Sequence, residues 1–320
     1  MEDAAYLQST QYRYFTFTPQ TLSRIRQNTN ALASTRLDES MQSAIAAGDM
    51  TPLTNHPSPL TAEEELKLVS YYLTTSVALC DHFNTGSDIR ATTLSYLQRL
   101  YLRISPLQIH PKTLLLPILF LAFKVERGIQ STSWFISTAA LAGLTVTKEE
   151  LLAPEIDIAM NLRWAFQMQH PFRGVEGVKM ELHAMATGSY RGPGEGPHVR
   201  AAFAGKRIDF DRVERTCGGA RALLTGNALF TDVYFLYTPA QITLAGLWVV
   251  DREVAEEFVN VKVPDEALRT RLKRVVRECA ERHLMATPDA ENMYPGLLLR
   301  LPQNGVPMGV EVTPELKKEV

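Results

Sequence analysis

The sequence predicts an all-α protein made of two tandem five-helix domains, with flanking helices at the amino and carboxyl ends. Three observations predict it. Capping signals precede stretches whose apolar residues recur at helical spacing, no alternating β-branched run is bounded by hairpin turns, and one pattern recurs after a long interval. A chain of 320 residues with 45% hydrophobic content can bury two such cores.

The first 60 residues are expected to hold one helix and a linker. Thr18 and Pro19 provide an N-cap and a first-turn proline for a short amphipathic helix. Residues 38–60 contain three prolines and are expected to be an irregular linker.

Five helices are expected in the first domain. Capping residues and helix-opening prolines mark where most of them begin, and apolar residues at helical spacing follow. The starting signals are, in order, Thr61 with Glu64, Asp88, His110 with Pro111, Ser133 for a helix over 134–142, and Thr147 with Glu150 for a helix reaching about Trp164.

The third of these helices is expected to be central. Residues 114–123 carry no charge, and a helix that is apolar on every side must be surrounded by others. Pro117 falls inside this helix and Pro154 inside the fifth, where a proline removes a backbone hydrogen bond. The apolar stretch ends abruptly at Lys124, and the purpose of that charge is the main question that the sequence raises.

The pattern restarts after His170 and Pro171, with a helix near 172–186 and then the stretch GSYRGPGEGP, which predicts a flexible loop. The segment TPAQITLAGLWVV from residue 238 repeats the central helix that begins at residue 110. The predicted divisions are an amino-terminal helix and linker at 1–60, a first domain at 61–168, a second domain at 169–286 and a carboxyl-terminal extension at 287–320.

Composition favours a soluble protein of a reducing compartment. The apolar run is shorter than the roughly 20 residues that cross a bilayer, and the amino terminus lacks a signal-peptide pattern, so we expect no membrane association. Cys80, Cys217 and Cys279 are far apart, which argues against a disulfide framework. The net charge of −2 predicts no general attraction to nucleic acid.

Catalytic, cofactor and metal motifs are missing. The sequence has no HExxH, GxSxG or GxxxxGK[ST] pattern, and its seven histidines do not pair at metal-ligand spacing. We therefore expect a binding protein rather than an enzyme, with no catalytic residues, no cofactor and no metal.

Three local features have ordinary interpretations. The basic helix around 269–282 is expected to present a solvated face, since glutamates dilute its arginines, and the aromatic residues at 12–17 are expected to pack onto a domain. Ser58-Pro59 and Thr287-Pro288 fit plain turns better than phosphorylation sites.

A duplicated five-helix unit whose central helix ends in lysine resembles the cyclin box, and the chain is similar to the cyclin H group of the cyclin family. The similarity extends from about residue 12 to about residue 250. The segments that carry it are YRYFTFTPQTLSRIRQNTN at 12–30, TTLSYLQRLYL at 92–102, IHPKTLLLPILFLAFKVE at 109–126, HPFRGVEG at 170–177 and LFTDVYFLYTPAQITLAGL at 229–247.

The resemblance implies a nuclear, non-catalytic regulator that activates a cyclin-dependent kinase. The implied kinase phosphorylates other cyclin-dependent kinases and, within the general transcription factor IIH, the tail of RNA polymerase II. The implied partners are the kinase catalytic subunit, a RING-containing assembly factor and, indirectly, the factor IIH core. No direct contact with nucleic acid is implied.

The resemblance also implies kinase-binding residues. Cyclins carry a lysine at the end of the third helix and a glutamate early in the fifth, which match Lys124 and Glu155. The apolar part of the implied contact consists of Leu121, Val125, Ala159, Trp164 and Phe166. From the residues alone, a lysine at a helix C-terminus is equally explained by the helix dipole, and the apolar residues by core packing.

Two alternatives stay open at this point. One is another transcriptional cyclin, of the C, K, L or T type, with a different kinase. The other is a DNA-bound adaptor of the transcription factor IIB kind, which has the same duplicated fold and would bind duplex DNA through the basic helix. The first helix, EEELKLVSYYL, lacks the Met-Arg-Ala-Ile-Leu patch with which cell-cycle cyclins dock substrates, so we do not expect that docking.

Overall fold

A computed structural model describes residues 4–48, 58–128 and 130–285. These ranges are dominated by helices and contain no strand, which confirms the all-α class. The chain divides into two compact units. Among the described residues, the first unit comprises Pro19–Trp164, and the second combines those up to Thr18 with those after Trp164. The predicted domain limits remain predictions, and the extension at 287–320 lies outside the described residues.

The helices up to residue 164 include one very long element and several short ones. In chain order they are α1 (Ala4–Leu7), α2 (Thr10–Phe15), α3 (Pro19–Ala47), α4 (Ala62–His82), α5 (Ser87–Leu100), α6 (Pro111–Val125), α7 (Thr132–Leu141), α8 (Lys148–Leu152) and α9 (Glu155–Asn161).

The helices after residue 164 belong to the second unit. They are α10 (Pro171–Thr187), α11 (Pro197–Gly205), α12 (Phe210–Thr225), α13 (Val233–Leu236), α14 (Pro239–Val250), α15 (Arg252–Lys262) and α16 (Glu266–Cys279), with a 3-10 turn at Asn227–Phe230 and a π-helical turn at Ala280–Leu284.

Helix α6 is the centre of the first unit, as the sequence predicts. It contacts α4, α5, α8 and α9, and Ile118, Leu119 and Ala122 are fully buried. Its N-cap is His110, whose Nδ1 accepts a hydrogen bond of 3.1 Å from the backbone N–H of Lys112. Because α6 is packed on all sides, the position of its charged end is fixed.

Helix α3 is much longer than the expected short helix. It runs for 29 residues to Ala47, so the first part of the predicted linker at 38–60 is helical. No glycine or proline interrupts the chain between Pro19 and Gly48, which permits a continuous helix. Thr29 donates from its side chain to the Leu102 carbonyl at 2.8 Å, and Asn30 donates to the Leu60 carbonyl at 2.7 Å. These bonds hold α3 on the first unit.

Two predicted helices of the first unit need correction. The cap of α7 is Ser131 rather than Ser133, because the Ser131 hydroxyl accepts the bond from Trp134 N–H at 3.1 Å. The fifth helix is broken into α8 and α9, and Pro154 lies at the N-cap of α9 rather than inside a helix. A proline at that position has no helical hydrogen bond to lose.

Pro117 is the exception, since it does lie inside α6 and is buried there. The helix therefore lacks one backbone hydrogen bond at this point.

The capping boxes predicted for Thr61 and Thr147 are present, with Glu64 and Glu150 bonding back to the cap backbone.

In the second unit the central helix is α14, which contacts α10, α12, α15 and α16. Thr238 and Gln241 cap it with a capping box. Gly246 lets α12 approach closely, since a Cβ atom there would lie 3.1 Å from the Leu224 side chain. The predicted second apolar helix and its X-Pro start are thus both present.

Phe15 and Phe17 of the amino-terminal aromatic residues pack within the second unit, as the packing interpretation predicts, whereas Tyr12 is exposed. Phe15 is buried, and the ring of Phe17 lies 6.2 Å from that of Phe235. The backbone N–H of Phe17 also donates to the Phe235 carbonyl at 2.7 Å.

The glycine-rich stretch at 188–197 is largely exposed but is anchored at two positions. Tyr190 is buried and donates from its hydroxyl to the Pro193 carbonyl at 3.2 Å. Gly194 has φ of +73° and lies against Val261, where a Cβ atom would be 2.2 Å from the carbonyl oxygen. Only glycine fits this approach.

Candidate partner-binding site

The charged end of α6 meets the start of α9 at the surface of the first unit. Lys124 forms an ion pair with Glu155, its Nζ donating to the carboxylate Oε1. Lys124 occupies the last turn of α6 and Glu155 the first position of α9, so each charge also interacts favourably with its helix dipole. The two sequence-predicted charges are therefore brought together.

Both charges of this pair remain accessible to water. The side chains of Lys124 and Glu155 are 40% and 32% exposed. The ammonium of Lys124 also lies 4.7 Å from the centre of the Phe120 ring, a cation–π arrangement that restricts its direction. The pair is thus a preformed surface feature, with lone pairs and protons free to bond to a partner.

An exposed apolar row lies beside the pair. Ile156 and Met160 on α9, and Trp164 just beyond its end, are 59%, 51% and 59% exposed. Ile156 and Met160 are four residues apart, which places them on one side of α9. Apolar surface of this kind next to a charged pair is typical of an interaction site.

The backbone at the end of α9 is strained. Arg163 and Trp164 both have positive φ, at 55° and 56°, a conformation that costs non-glycine residues about 1–2 kcal/mol each. The Trp164 N–H donates to the Ala159 carbonyl at 2.9 Å, which fixes this sharp ending. Such strain is often stored at functional positions, and here it accompanies a large exposed indole.

The remaining predicted contact residues have mixed positions. Leu121 and Ala159 are buried, at 5% and 2% exposed, so they lie beneath the surface and support the helices that present it. Val125 is half-buried at the last residue of α6. Phe166 is half-buried and belongs to the second unit. The partner role of each of these residues stays a prediction.

Sequence reasoning missed Ile156 and Met160. The sequence holds part of the signal, since Ile156 and Met160 are four residues apart, and in the structure Ile158 and Leu162 are the buried residues of this segment. Without knowing that Pro154 starts a new helix, their direction could not be assigned.

Chemical groups suited to catalysis are not gathered at this site. Within the described ranges, no three His, Cys, Asp or Glu side chains are placed to hold a metal ion. All three cysteines are free and buried, and burial raises the pKa of the Cys80 and Cys217 thiols to about 11 and that of Cys279 to about 12. They are protonated at neutral pH and are poor nucleophiles. In the same ranges, no helix is both long and apolar enough to span a bilayer.

Comparison with known proteins gives a consistent group of matches. A family profile described as the cyclin C-terminal domain matches residues 170–283. The cyclin Ccl1 of Saccharomyces cerevisiae is 28% identical over 268 residues, which is 82% of this chain and 62% of Ccl1. Cyclin-H1-1 of Arabidopsis thaliana is 23% identical over 257 residues, covering 76% of this chain and 69% of that protein.

Two solved structures are also similar. A chain in the CAK complex of Chaetomium thermophilum, determined with ATP-gamma-S bound, has 30% identity and a TM-score of 0.72 and aligns with 87% of this chain and 78% of its own length. A chain in the yeast TFIIK complex of Kin28, Ccl1 and Tfb3 has 26% identity and a TM-score of 0.62, covering 86% of this chain and 99% of that one.

Proposed function

The chain belongs to the cyclin family, in the group that contains cyclin H and yeast Ccl1, and from that premise we propose that it is the non-catalytic activating subunit of a cyclin-dependent kinase. The kinase would phosphorylate other cyclin-dependent kinases and, within factor IIH, the tail of RNA polymerase II. The similarity to chains of the CAK and TFIIK complexes supports this assignment. The chain spans 62% of the length of Ccl1, so its partners and substrates are part of the proposal.

The observation that carries the proposal is the preformed Lys124–Glu155 pair beside an exposed apolar row. A kinase holds ATP productively only when a lysine of its sheet pairs with a glutamate of its mobile helix. The cyclin surface would bind the active placement of that helix better than the inactive one. Only such a difference in affinity shifts the kinase population towards activity.

The two parts of the surface would contribute differently. Charge-assisted hydrogen bonds from Lys124 and Glu155 would stabilise the complex by about 1.5–3 kcal/mol each once water is excluded. Trp164 would be the apolar anchor, since large aromatic residues supply most of the affinity at protein interfaces. The buried Leu121 and Ala159 would keep α6 and α9 in register beneath that contact.

The other partners follow from the same premise. A RING-containing assembly factor would join the kinase and cyclin, by analogy with Tfb3 in the TFIIK complex. The complex would act in the nucleus, where polymerase tails are phosphorylated, and would reach the factor IIH core only indirectly. The chain itself would bind neither nucleic acid nor membrane.

A kinase assay tests the proposal directly. The isolated kinase subunit is given a polymerase-tail peptide, with and without this chain and with the Lys124→Ala variant. The natural chain should stimulate phosphate transfer strongly, and the variant should need about tenfold more protein for the same effect, since one charge-assisted contact is lost. Arg252→Ala is the matched control, because Arg252 is also an exposed cation paired with a glutamate, and it should behave as the natural chain.

A charge exchange separates binding from folding. The double variant Lys124→Glu, Glu155→Lys keeps an ion pair between α6 and α9 but exchanges the positions of the positive and negative charges that a partner would contact. It should remain helical and lose stimulation. Full stimulation by this variant would remove the pair from the interface, and no stimulation by the natural chain, with the chain folded, would contradict the activating role.

A further inference from the structure

The outer face of α16 carries a continuous ridge that the proposed kinase contact does not use. Its members occur every third residue, so their side chains are neighbours along the helix. This arginine ridge consists of Leu268, Arg271, Arg274 and Arg277, and all four are exposed. Across ten residues it is about 15 Å long.

Several other charges of α16 are engaged by neighbouring side chains. Glu278 pairs with Arg282 at 2.8 Å, and Lys273 donates to Asn260 at 2.6 Å. In the described part of the chain, neither Arg271 nor Arg274 forms an ion pair or hydrogen bond through its side chain. The two guanidinium groups, three residues apart on the helix, are therefore available to an anionic partner.

Arg277 is partly balanced by a carboxylate of α15. Glu256 pairs with Arg252 at 2.7 Å, and the hydrogen bond from Arg252 lowers its pKa, with smaller contributions from the charges of Lys273 and Arg277. This leaves Arg271 and Arg274 as the electropositive centre of the ridge. Val276 and Cys279 face inward and hold α16 on the unit, so the ridge is rigidly presented.

We propose that the arginine ridge binds a phosphorylated peptide. Guanidinium groups form two parallel hydrogen bonds to a phosphate, and paired arginines are a common way to recognise phosphoserine. The exposed Leu268, which is 59% exposed, gives the amino-terminal end of the ridge an apolar contact for a neighbouring peptide side chain.

Duplex DNA fits this ridge less well. Glu266 precedes the ridge and Glu281 follows it, both exposed, and each would repel a phosphate backbone that continues past the ends. The apolar Leu268 would also have no favourable contact with a phosphate backbone. A short peptide with one or two phosphates places its charge between these glutamates and its apolar residues beside Leu268.

The probe for this inference rests on the proposed function, because a kinase that phosphorylates the polymerase tail would produce such a ligand next to its cyclin. The full chain is titrated into a fluorescent two-repeat tail peptide carrying phosphoserine, and anisotropy is measured. Unphosphorylated peptide and a 20-base-pair duplex serve as competitors. The phosphorylated peptide should bind at least about tenfold more tightly than the unphosphorylated one.

Variants assign the binding to the ridge. Arg271→Gln, Arg274→Gln should weaken phosphopeptide binding about tenfold, with glutamine keeping the helix propensity of arginine. Arg215→Gln, at an exposed arginine on α12 that has no ion pair among the described residues, should leave phosphopeptide binding unchanged. Arg274→Lys, which keeps the charge and loses the fork, should give a smaller loss.

The outcomes separate this inference from the proposed function. Equal binding of both peptides, an unaffected double variant, or tighter binding of the duplex through the same arginines would overturn the ridge assignment. Kinase stimulation is assayed in parallel on a substrate without tail repeats. If the chain binds the phosphopeptide without stimulating the kinase, the ridge assignment stands and the activating role is contradicted. If the chain stimulates the kinase without binding the phosphopeptide, the activating role stands and the ridge assignment is overturned.

Discussion

The ends of the two central helices, α6 and α14, carry the same chemistry in different surroundings. A shift of 128 residues brings Lys124 onto Arg252 and Phe120 onto Trp248. In each unit the cation lies over the aromatic ring one turn earlier, at 4.7 Å in the first and 5.4 Å in the second. The duplication that the sequence suggests therefore extends to this detail.

The partners of the two cations differ. Lys124 pairs with Glu155, which is 31 residues away and on another helix. Arg252 pairs with Glu256, one turn along its own helix, at 2.7 Å. The cause is local, because α6 continues through Lys124 whereas α14 ends at Val250 and the next residue adopts an extended conformation.

A half-buried clamp occupies the second helix end instead. Asp251 caps α15, and its carboxylate accepts two hydrogen bonds from Arg212 at 2.7 and 2.9 Å. Arg212 also donates to the Lys206 carbonyl at 2.7 Å. The second unit thus joins two helices through this clamp, whereas in the first unit a more exposed pair joins α6 to α9. The two repeated cations therefore differ in what they join, since Lys124 links two helices whereas Arg252 pairs within its own helix.

The largest effect should come from breaking the clamp. Arg212→Ala leaves the Asp251 carboxylate, which is 19% exposed, without its main donor. Burial alone would raise the pKa of Asp251, but the hydrogen bonds from Arg212 and Val254 N–H outweigh it and lower the pKa. We expect the free energy of unfolding to fall by about 2–3 kcal/mol. Urea titration measures it, and a loss below 1 kcal/mol would show that the clamp is not structural.

A similar effect, but on binding, should follow in the first unit. Trp164→Ala removes the exposed indole and should weaken kinase binding by about 2 kcal/mol, roughly thirtyfold, because such residues are typical interface anchors. Phe210→Ala is the matched control, since Phe210 is 61% exposed in the second unit. Calorimetry with the isolated kinase distinguishes them. Equal losses in both variants would mean that the apolar row does not define the interface.

The sequence was sufficient for the fold and for the central pair. Capping boxes at Thr61 and Thr147, and the X-Pro starts of the central helices, predicted the helices because these signals are local. Lys124 and Glu155 were identified through the resemblance, and the structure places them in contact.

The rest depended on tertiary context. The length of α3 was underestimated because polar residues conceal a helix that is held by side-chain bonds to Leu60 and Leu102. The break at Pro154 decided which face of α9 is exposed, and no local signal separates a kink from a new helix there. The Arg212–Asp251 clamp joins residues 39 apart, and nothing in their spacing predicts it.

The caps of the two central helices should respond differently to pH. Burial, with the neighbouring charge of Lys112, lowers the pKa of His110, whose ring packs against Tyr72 and whose Nδ1 must be unprotonated to cap α6. The stability from this cap is present above about pH 6.5 and is lost as the pH falls through the lowered pKa. Thr238, which caps α14, does not titrate.

His110→Thr should remove this pH dependence of stability. The difference between the variant and the natural chain separates the contribution of His110 from that of the other histidines. A cap is worth about 1 kcal/mol, so the natural chain should lose about that much more stability than the variant between pH 7.5 and 5. Urea titrations at the two pH values measure the difference. Identical losses would indicate that the cap of α6 is not made by the ring.

The smallest effects should be the stability changes of Lys124→Ala and Arg252→Ala, and their similarity matters most for the comparison. Each variant loses one exposed ion pair and one cation–π contact, which together are worth about 0.5–1 kcal/mol. If both lie in that range, the loss of kinase binding by Lys124→Ala alone reflects direct contact. Lys124→Ala could instead lower the free energy of unfolding much more than Arg252→Ala does, and a double-mutant cycle with Glu155→Ala could assign the excess to the ion pair. In that case the pair holds α6 and α9 together, and it acts on the kinase through the positions of these helices.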